Sequence, residues 1–276
     1  MPHLVDLTTL ADLKNFISPS LSSTSGSDAT LAKTITAVSI GINRYVSRAL
    51  AVGSFAEVRN GNGRPSMRAL TYPVLSVASV VISPVAGSPG RTLLPSNGSQ
   101  AAAVTWDKWF VYLQAAIFEE GKQNVTLNYT GGFITPGQLQ VLALPAWAPA
   151  AVTLPNAQVQ VAGFYYEAVN AGTTGGSAPA WFTTRNSLTS DNGILWRCLG
   201  ALPVLPVNAD MVPDDFQQAC MQQAALLFKN RTRVGDTGTG MGPDRVNYFL
   251  KEAHPSTLAL LNSHREVFPI DGMGVQ

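Results

Sequence analysis

Residues 121–133 constrain the fold more than any other stretch. Val125, Leu127 and Tyr129 alternate with Thr126, Asn128 and Thr130, the period of a strand with one buried face, and Gly131-Gly132 then stops it. The next firm helix start lies far downstream. Pro213 suits a first helical turn, where its missing N–H costs nothing, and Asp214 and Asp215 complement the positive end of the helix dipole. A helix is expected over 213–233, with Phe216, Ala219, Cys220, Leu226, Leu227 and Phe228 on its apolar stripe. Between strand and helix the composition changes. Pro145 to Pro203 hold Trp147, Trp181 and Trp196 together with Phe164, Tyr165 and Tyr166, and Pro149, Pro155, Pro203 and Pro206 punctuate entry and exit. This is the pattern of a compact insertion whose ends lie close together.

Upstream, residues 8–17 and 28–50 read as two helices separated by the serine-rich loop 18–27. In the second, Leu31, Ile35, Val38, Ile42, Tyr45, Val46 and Ala49 recur at spacings of three and four and line one face. Asn60-Gly61-Asn62-Gly63 favours the positive φ of a hairpin turn. A strand is expected over 70–82, with Val74, Ser76, Ala78 and Val80 on one face and Leu75, Val77, Ser79 and Val81 on the other. A last helix begins near Ser256, after Pro255, and carries Leu258, Leu261 and Val267 inward.

Inside the insertion, 163–169 has strand composition and 171–181 is a glycine-rich loop. Asp191-Asn192-Gly193 turns the chain into a strand over 194–199, so the segment reads as a small all-β module. Its aromatic rings admit two readings. Exposed, they stack on sugar faces or anchor a protein contact; buried, they form the core that so small a module needs. The size argument assigns Trp181 and Trp196 to the core and leaves Trp147 or Tyr165 as the exposed contact.

Two helices, an Asn-Gly turn, Tyr72-Pro-Val-x-Ser-Val-x-Ser-Val80, the strand ending in a double glycine and the proline-started helix follow one another in a definite order. That order resembles the head-tail connector (adaptor) proteins of long-tailed bacteriophages, in which strand 118–133 and helix start 212–219 usually run on directly. The insertion's motifs, Tyr166-x-Ala168, Ala171-Gly-Thr-Thr-Gly175, Pro179-x-Trp181 and Asp191-x-Gly-x-x-Trp196, are similar to a module of phage virion proteins and polysaccharide-acting enzymes, where it is linked to carbohydrate binding. The resemblance implies an α+β chain: a discontinuous connector domain over 1–140 and 206–276, a helical core with a β-hairpin and strands, and an inserted β domain over 145–203. It further implies a structural protein of the virion neck, assembled in the bacterial cytoplasm. Copies would form a ring, dodecameric in this family, between the portal protein and a tail-side connector, terminator or tail tube protein, with DNA passing through unread. Val74–Ile82 and residues 28–50 are the expected ring contacts. Val267, Phe268 and Ile270 are the expected portal-docking residues, unless the C-terminal segment is a free tail. A host-glycan or cell-surface binding protein that displays the module is the alternative, and an accessory domain of a cell-wall enzyme a third.

Composition narrows these options from the other side. Of 276 residues 46% are hydrophobic and only 13% charged, about half the usual share of charge, so much of the surface is neutral and suited to being covered. A net charge of +1 gives no electrostatic case for gripping DNA, and the one basic cluster, Lys229 to Arg233, reads as cations at a helix C-terminus. No apolar run has the length of a membrane span and no basic leader precedes a hydrophobic stretch, so a cytosolic, membrane-free protein is expected. Cys198 and Cys220 sit in different modules and read as buried free thiols. No catalytic, cofactor or metal site is expected. The loop Gly235 to Gly242 lacks the lysine of a phosphate loop, His3, His254 and His264 are scattered, and the pairs Glu119-Glu120 and Asp214-Asp215 diverge on their elements.

Overall fold

A computed structural model describes residues 2–18, 27–84, 89–95, 103–229 and 255–264. The chain is α+β, with helices and mostly antiparallel sheets in two compact units. The described parts of one unit are 43–84, 89–95, 103–135 and 204–212; those of the other are 2–18, 27–42, 136–203, 213–229 and 255–264.

The first unit holds β1 (Gly53–Gly61), β2 (Ser66–Arg68), β3 (Val74–Ile82), β4 (Arg91–Leu93), β5 (Val104–Trp106), β6 (Phe110–Leu113) and β7 (Gly121–Gly131). One sheet runs β1-β7-β3-β4 and another β2-β6-β5. Strand β7 sits inside the first because its alternation supplies one apolar face: Val125, Leu127 and Tyr129 join Val77, Val80 and Ile82 of β3 and Val111 of β6 in a single core. Each such side chain contributes roughly 1.5–3 kcal/mol by leaving water. The Tyr129 hydroxyl accepts from Thr71 N–H at 2.9 Å and donates to Glu57, so its polar tip is satisfied inside the core. The double glycine ends the strand for steric reasons. A Cβ on Gly131 would lie 2.9 Å from Pro73 O, and Gly132 takes φ +99°.

Two expectations for this unit are corrected. Strand β3 does not alternate simply, because its register against β7 slips between Val74 and Ser76 and again between Val77 and Ser79. Leu75 and Ala78 are the extra residues of two bulges, and with them set aside Val74, Val77, Val80 and Ile82 all point to the core. Nor does Asn60-Gly61-Asn62-Gly63 close a hairpin: β1 pairs with β7 and β2 with β6, so the segment crosses from one sheet to the other. Its amides explain this. Gly61 N–H donates to Asn124 Oδ1, Gly63 N–H to Phe118 O and Arg64 N–H to Asn62 Oδ1, so the crossing is hydrogen-bonded along its length.

The second unit holds α1 (Leu10–Ile17), α2 (Asp28–Tyr45) as far as Ile42, α3 (Pro136–Leu142), α4 (Asp214–Lys229) and α5 (Pro255–Asn262). Thr9 caps α1, accepting from Asp12 N–H at 3.0 Å. Helix α2 buries Leu31, Ile35, Val38 and Ile42 as expected but stops at Tyr45. The cause is local: Ser47 takes φ 58°, and Arg48 N–H reaches back five residues to Asn43 O, the pattern of a left-handed helix stop. Between helices, Leu7 N–H donates to Ser39 Oγ, which lies 3.5 Å from Cys220 Sγ of α4. Both cysteines are free and buried. On α4 the buried stripe is Phe216, Ala219, Cys220, Ala224 and Ala225, so the expected Leu226, Leu227 and Phe228 are only half-buried. On α5 the buried residues are Thr257 and Leu261, while Leu258 is half-buried and Val267 lies outside the described residues. Helix α3, unforeseen in the sequence, begins at a proline.

The same unit contains β8 (Val152–Thr153), β9 (Gln158–Val161), β10 (Phe164–Ala168), β11 (Gly172–Thr173), β12 (Leu188–Asp191) and β13 (Ile194–Ala201). A sheet of order β12-β13-β10-β9 and the pair β11-β8 fall wholly within the tryptophan-rich segment. Its hairpins turn at Ala162-Gly163 and Asn192-Gly193, all four residues at positive φ.

Candidate functional site

Two places stand out: the backbone contact of Ile134 with 210–212 and the aromatic cluster within 145–203. At the first, Ile134 forms a parallel bridge with Met211. Its N–H donates to Asp210 O and its carbonyl accepts from Val212 N–H, each at 2.9 Å. The residue after Phe133 is therefore hydrogen-bonded to the residue before Pro213. Helix α4 starts immediately after this contact, Phe216 N–H donating to Pro213 O at 3.0 Å.

The cluster is organised by one carboxylate. Asp191 is 3% exposed; its Oδ1 accepts from Gly175 N–H at 2.7 Å and its Oδ2 from the indole N–H of Trp147 at 2.9 Å and of Trp196 at 3.2 Å. Around it Trp181 packs on Tyr166 with centroids 4.4 Å apart, on Trp196 at 6.0 Å and on Trp147 at 6.5 Å. Tilted and edge-on pairs of this kind add about 0.5–1.5 kcal/mol each beyond burial. Trp196 is fully buried and Trp181 half-buried, in the core positions expected of them. Trp147 is also half-buried and its polar edge is spent on Asp191, so what it exposes is part of a ring face.

Tyr165 differs from expectation: it is 4% exposed. Strand β10 is covered on both faces. Tyr166 and Ala168 enter the module's core, while Glu167, also buried, pairs with Arg197 and lines a groove of about 360 Å³ with His3, Lys33 and Thr36. Burial raises the Tyr165 hydroxyl pKa and lowers that of His3, whose imidazole also feels Glu167. The exposed aromatic next to the cluster is Phe182, at 59%. Sequence reasoning passed over Phe182 and took Asp191 only as a turn and motif residue. The Asp191-x-Gly-x-x-Trp196 spacing marks the hairpin that places them, but the second indole on Asp191 comes from a residue too distant in sequence to be paired by inspection.

Of the expected ring contacts, β3 puts Val74, Val77, Val80 and Ile82 into its own core and leaves Ser76 and Ala78 exposed. Helix α2 exposes Lys33, Ala37, Ile40 and Gly41 opposite its buried face. Val267, Phe268 and Ile270 lie outside the described residues. The remaining titratable groups scatter: Asp215 lies 3.2 Å from His264, and Asp107 accepts from Trp109 and Phe110 N–H and from Tyr112 hydroxyl. Among the described residues no group of three His, Cys, Asp or Glu side chains is placed to hold a metal, and no helix is long and apolar enough to cross a membrane.

No protein-family model matches the chain, and no curated protein matches it. Among solved structures it is similar to a chain of the neck of an empty GTA particle computed with C6 symmetry, at 14% identity, over 98% of this chain and 95% of that chain, with a TM-score of 0.45.

Proposed function

We propose that this protein is a non-catalytic structural component of a phage-type virion neck, a connector whose copies form a ring between portal and tail components around a passage for DNA. The observation that carries the reading is the Ile134–Met211 bridge. It brings Ile134 beside 210–212, which supports reading 145–203 as an excursion from the strand, double glycine and proline-started helix that run on directly in the family it resembles. The low charged fraction supports a surface meant to be covered by neighbours. Ring closure needs a heterologous contact between copies, burying on the order of 1,000 Å² or more.

A glycan-binding module displayed on a helical frame is the second reading, and Phe182 beside the half-buried Trp181 is the observation in its favour. Against it, Trp147 and Trp196 commit their indole N–H groups to Asp191 and Tyr165 is buried, which leaves few rings for a sugar face. Native mass spectrometry and negative-stain images of the purified protein separate the two. Closed rings that bind purified portal support the connector; a monomer or trimer that is retained on polysaccharide refutes it.

A further inference from the structure

The four-stranded sheet β1-β7-β3-β4 ends in two edges with which no other described strand pairs. What those edges offer follows from a few hydrogen bonds. Ser83 N–H donates to Asn124 O and Gly132 N–H to Pro73 O, so the even-numbered residues of β7 turn their backbone groups to β3. Val52 N–H donates to Phe133 O, so the odd-numbered ones turn to β1, where they register with Phe55, Glu57 and Arg59. Ser54, Ala56 and Val58 therefore point their N–H and C=O groups away from the sheet. At the other edge Val80 and Ile82 register with Leu93 and Arg91, which leaves the backbone groups of Thr92 pointing outward. Ser54, Ala56, Val58 and Thr92 are all exposed, Val58 at 58%. Natural sheets guard a long edge with proline, lysine or a bulge. Strand β1 has no proline or lysine, and its one irregularity lies at its end, between Arg59 and Gly61.

We propose that β1 of one copy pairs with β4 of the next, so that a second copy of this chain occupies each edge and the sheet runs on from subunit to subunit. The proposal rests on the connector reading and names its side-to-side contact. Direction selects this partner first. Successive strands are antiparallel across the sheet, so β4 of one copy runs antiparallel to β1 of the next when both copies stand the same way up, as rotation about a ring axis requires. The two edges are also different surfaces, the heterologous kind of contact that closes rings, whereas β1 against β1 would stop at two copies. Side chains then select the register. Thr92 opposite Ala56 sets exposed Arg91 opposite Glu57, and Leu93 opposite Phe55, both of which pack partly buried on the core. Glu57 already accepts from Leu70 N–H and the Tyr129 hydroxyl, so Arg91 acts on it through charge. A shift by two residues one way sets Arg91 opposite Arg59, a like charge, and the other way removes the charge pair.

The test compares assembly of the full chain and its variants by native mass spectrometry and negative-stain images over a concentration series. Ala56→Pro and Thr92→Pro each remove one outward N–H and no hydrogen bond inside the sheet, the position at which edge strands accept proline. Arg91→Glu sets like charges opposite each other. Arg185→Glu, a charge reversal at an exposed residue of the other unit, is the control. With folding checked by circular dichroism, the first three are expected to raise the concentration for half-assembly about tenfold or more, and the control less than about twofold. A loss in the control as large as in the others overturns the proposal. Native-like assembly of folded Ala56→Pro and Thr92→Pro proteins overturns it as well, and leaves the connector reading standing. A native chain that stays monomeric overturns both. Ala56→Cys combined with Thr92→Cys, treated with a short bifunctional thiol reagent, fixes the pairing even where a proline variant fails to fold. Within one copy the two strands lie three strand spacings apart, about 14 Å, so linkage is between copies, and trimers and longer ladders are expected. Cross-linked dimers alone, or no cross-link, overturns the proposal.

Discussion

Removing the carboxylate of Asp191 tests whether the tryptophan-rich module is held together from one point. Asp191→Ala leaves three donors without their acceptor: the indole N–H groups of Trp147 and Trp196 and the Gly175 amide. They are not equal. Trp196 is fully buried, so its N–H has no access to water and carries the whole desolvation penalty, about 1–3 kcal/mol. Trp147 and Gly175 are half-buried, and water replaces part of what they lose. The expected total is about 3–4 kcal/mol, which for a chain of this size lowers Tm by roughly 6–15 °C. Asp191→Asn separates geometry from burial. Its single oxygen serves either the two indoles or Gly175, and its NH2 then faces a donor, so a loss of about 2 kcal/mol is expected. Urea unfolding followed by tryptophan fluorescence and near-ultraviolet circular dichroism reads both variants, since the coupled rings of Trp147, Trp181 and Trp196 report on the same cluster. An Asp191→Ala protein within about 0.5 kcal/mol of wild type would show that the aromatic packing holds without the carboxylate.

Two further perturbations address other parts of the chain. Asp6 accepts from His3 N–H and the Thr36 hydroxyl, yet burial pushes its pKa up to about 6. The folded chain therefore keeps a proton that the unfolded chain has lost, and stability falls as pH rises from about 4 to about 6, by about 3 kcal/mol, and is level above. Asp6→Asn should abolish that slope in urea midpoints taken at pH 4.5 and 7. His3, whose pKa burial lowers, contributes the opposite slope just below the ordinary histidine range, so the Asp6 share is the difference between wild type and variant; an unchanged difference would contradict it. Gly61→Ala places a Cβ 1.7 Å from Glu119 O, backbone that cannot swing aside. The loss expected from urea midpoints is about 2–3 kcal/mol, and a near-neutral result would mean that the crossing between sheets moves freely.

Local period and turn chemistry were legible wherever one face of one element decides the outcome. Val125, Leu127 and Tyr129 could only be an inward row, and Asn192-Gly193 only a tight turn, because neither depends on a distant neighbour. Period reading failed where the partner strand adds or removes a residue. The bulges at Leu75 and Ala78 rotate the middle of β3 twice, so the two faces read from spacing alone mixed core and surface. Asn-Gly pairs mark positive φ and amide-rich turns without saying which strand comes next, hence the crossing at 60–63 in place of a hairpin. Tyr165 was misplaced for a third reason. One face of a small sheet is normally solvated, but here His3, Lys33 and Thr36 line a groove together with Glu167 of the same strand, whose second face is covered. Nothing in the 163–169 pattern signals that covering.

The chain leaves at Thr135 and returns at Asp210 beside the point where it left. The ends of this excursion are fixed by two short backbone hydrogen bonds, Ile134 N–H to Asp210 O and Val212 N–H to Ile134 O. The strand before it is already satisfied on both sides by β1 and β3. Closure entropy grows only logarithmically with the length of the excursion, about 0.6 kcal/mol per doubling, so added residues weigh little on the flanking element if they fold by themselves. Within 145–203 lie a four-stranded sheet, two positive-φ hairpins and a core of Tyr166, Ile194 and Trp196 around Asp191. The register of β7 against β1 and β3 is thus set without reference to what lies between Thr135 and Asp210.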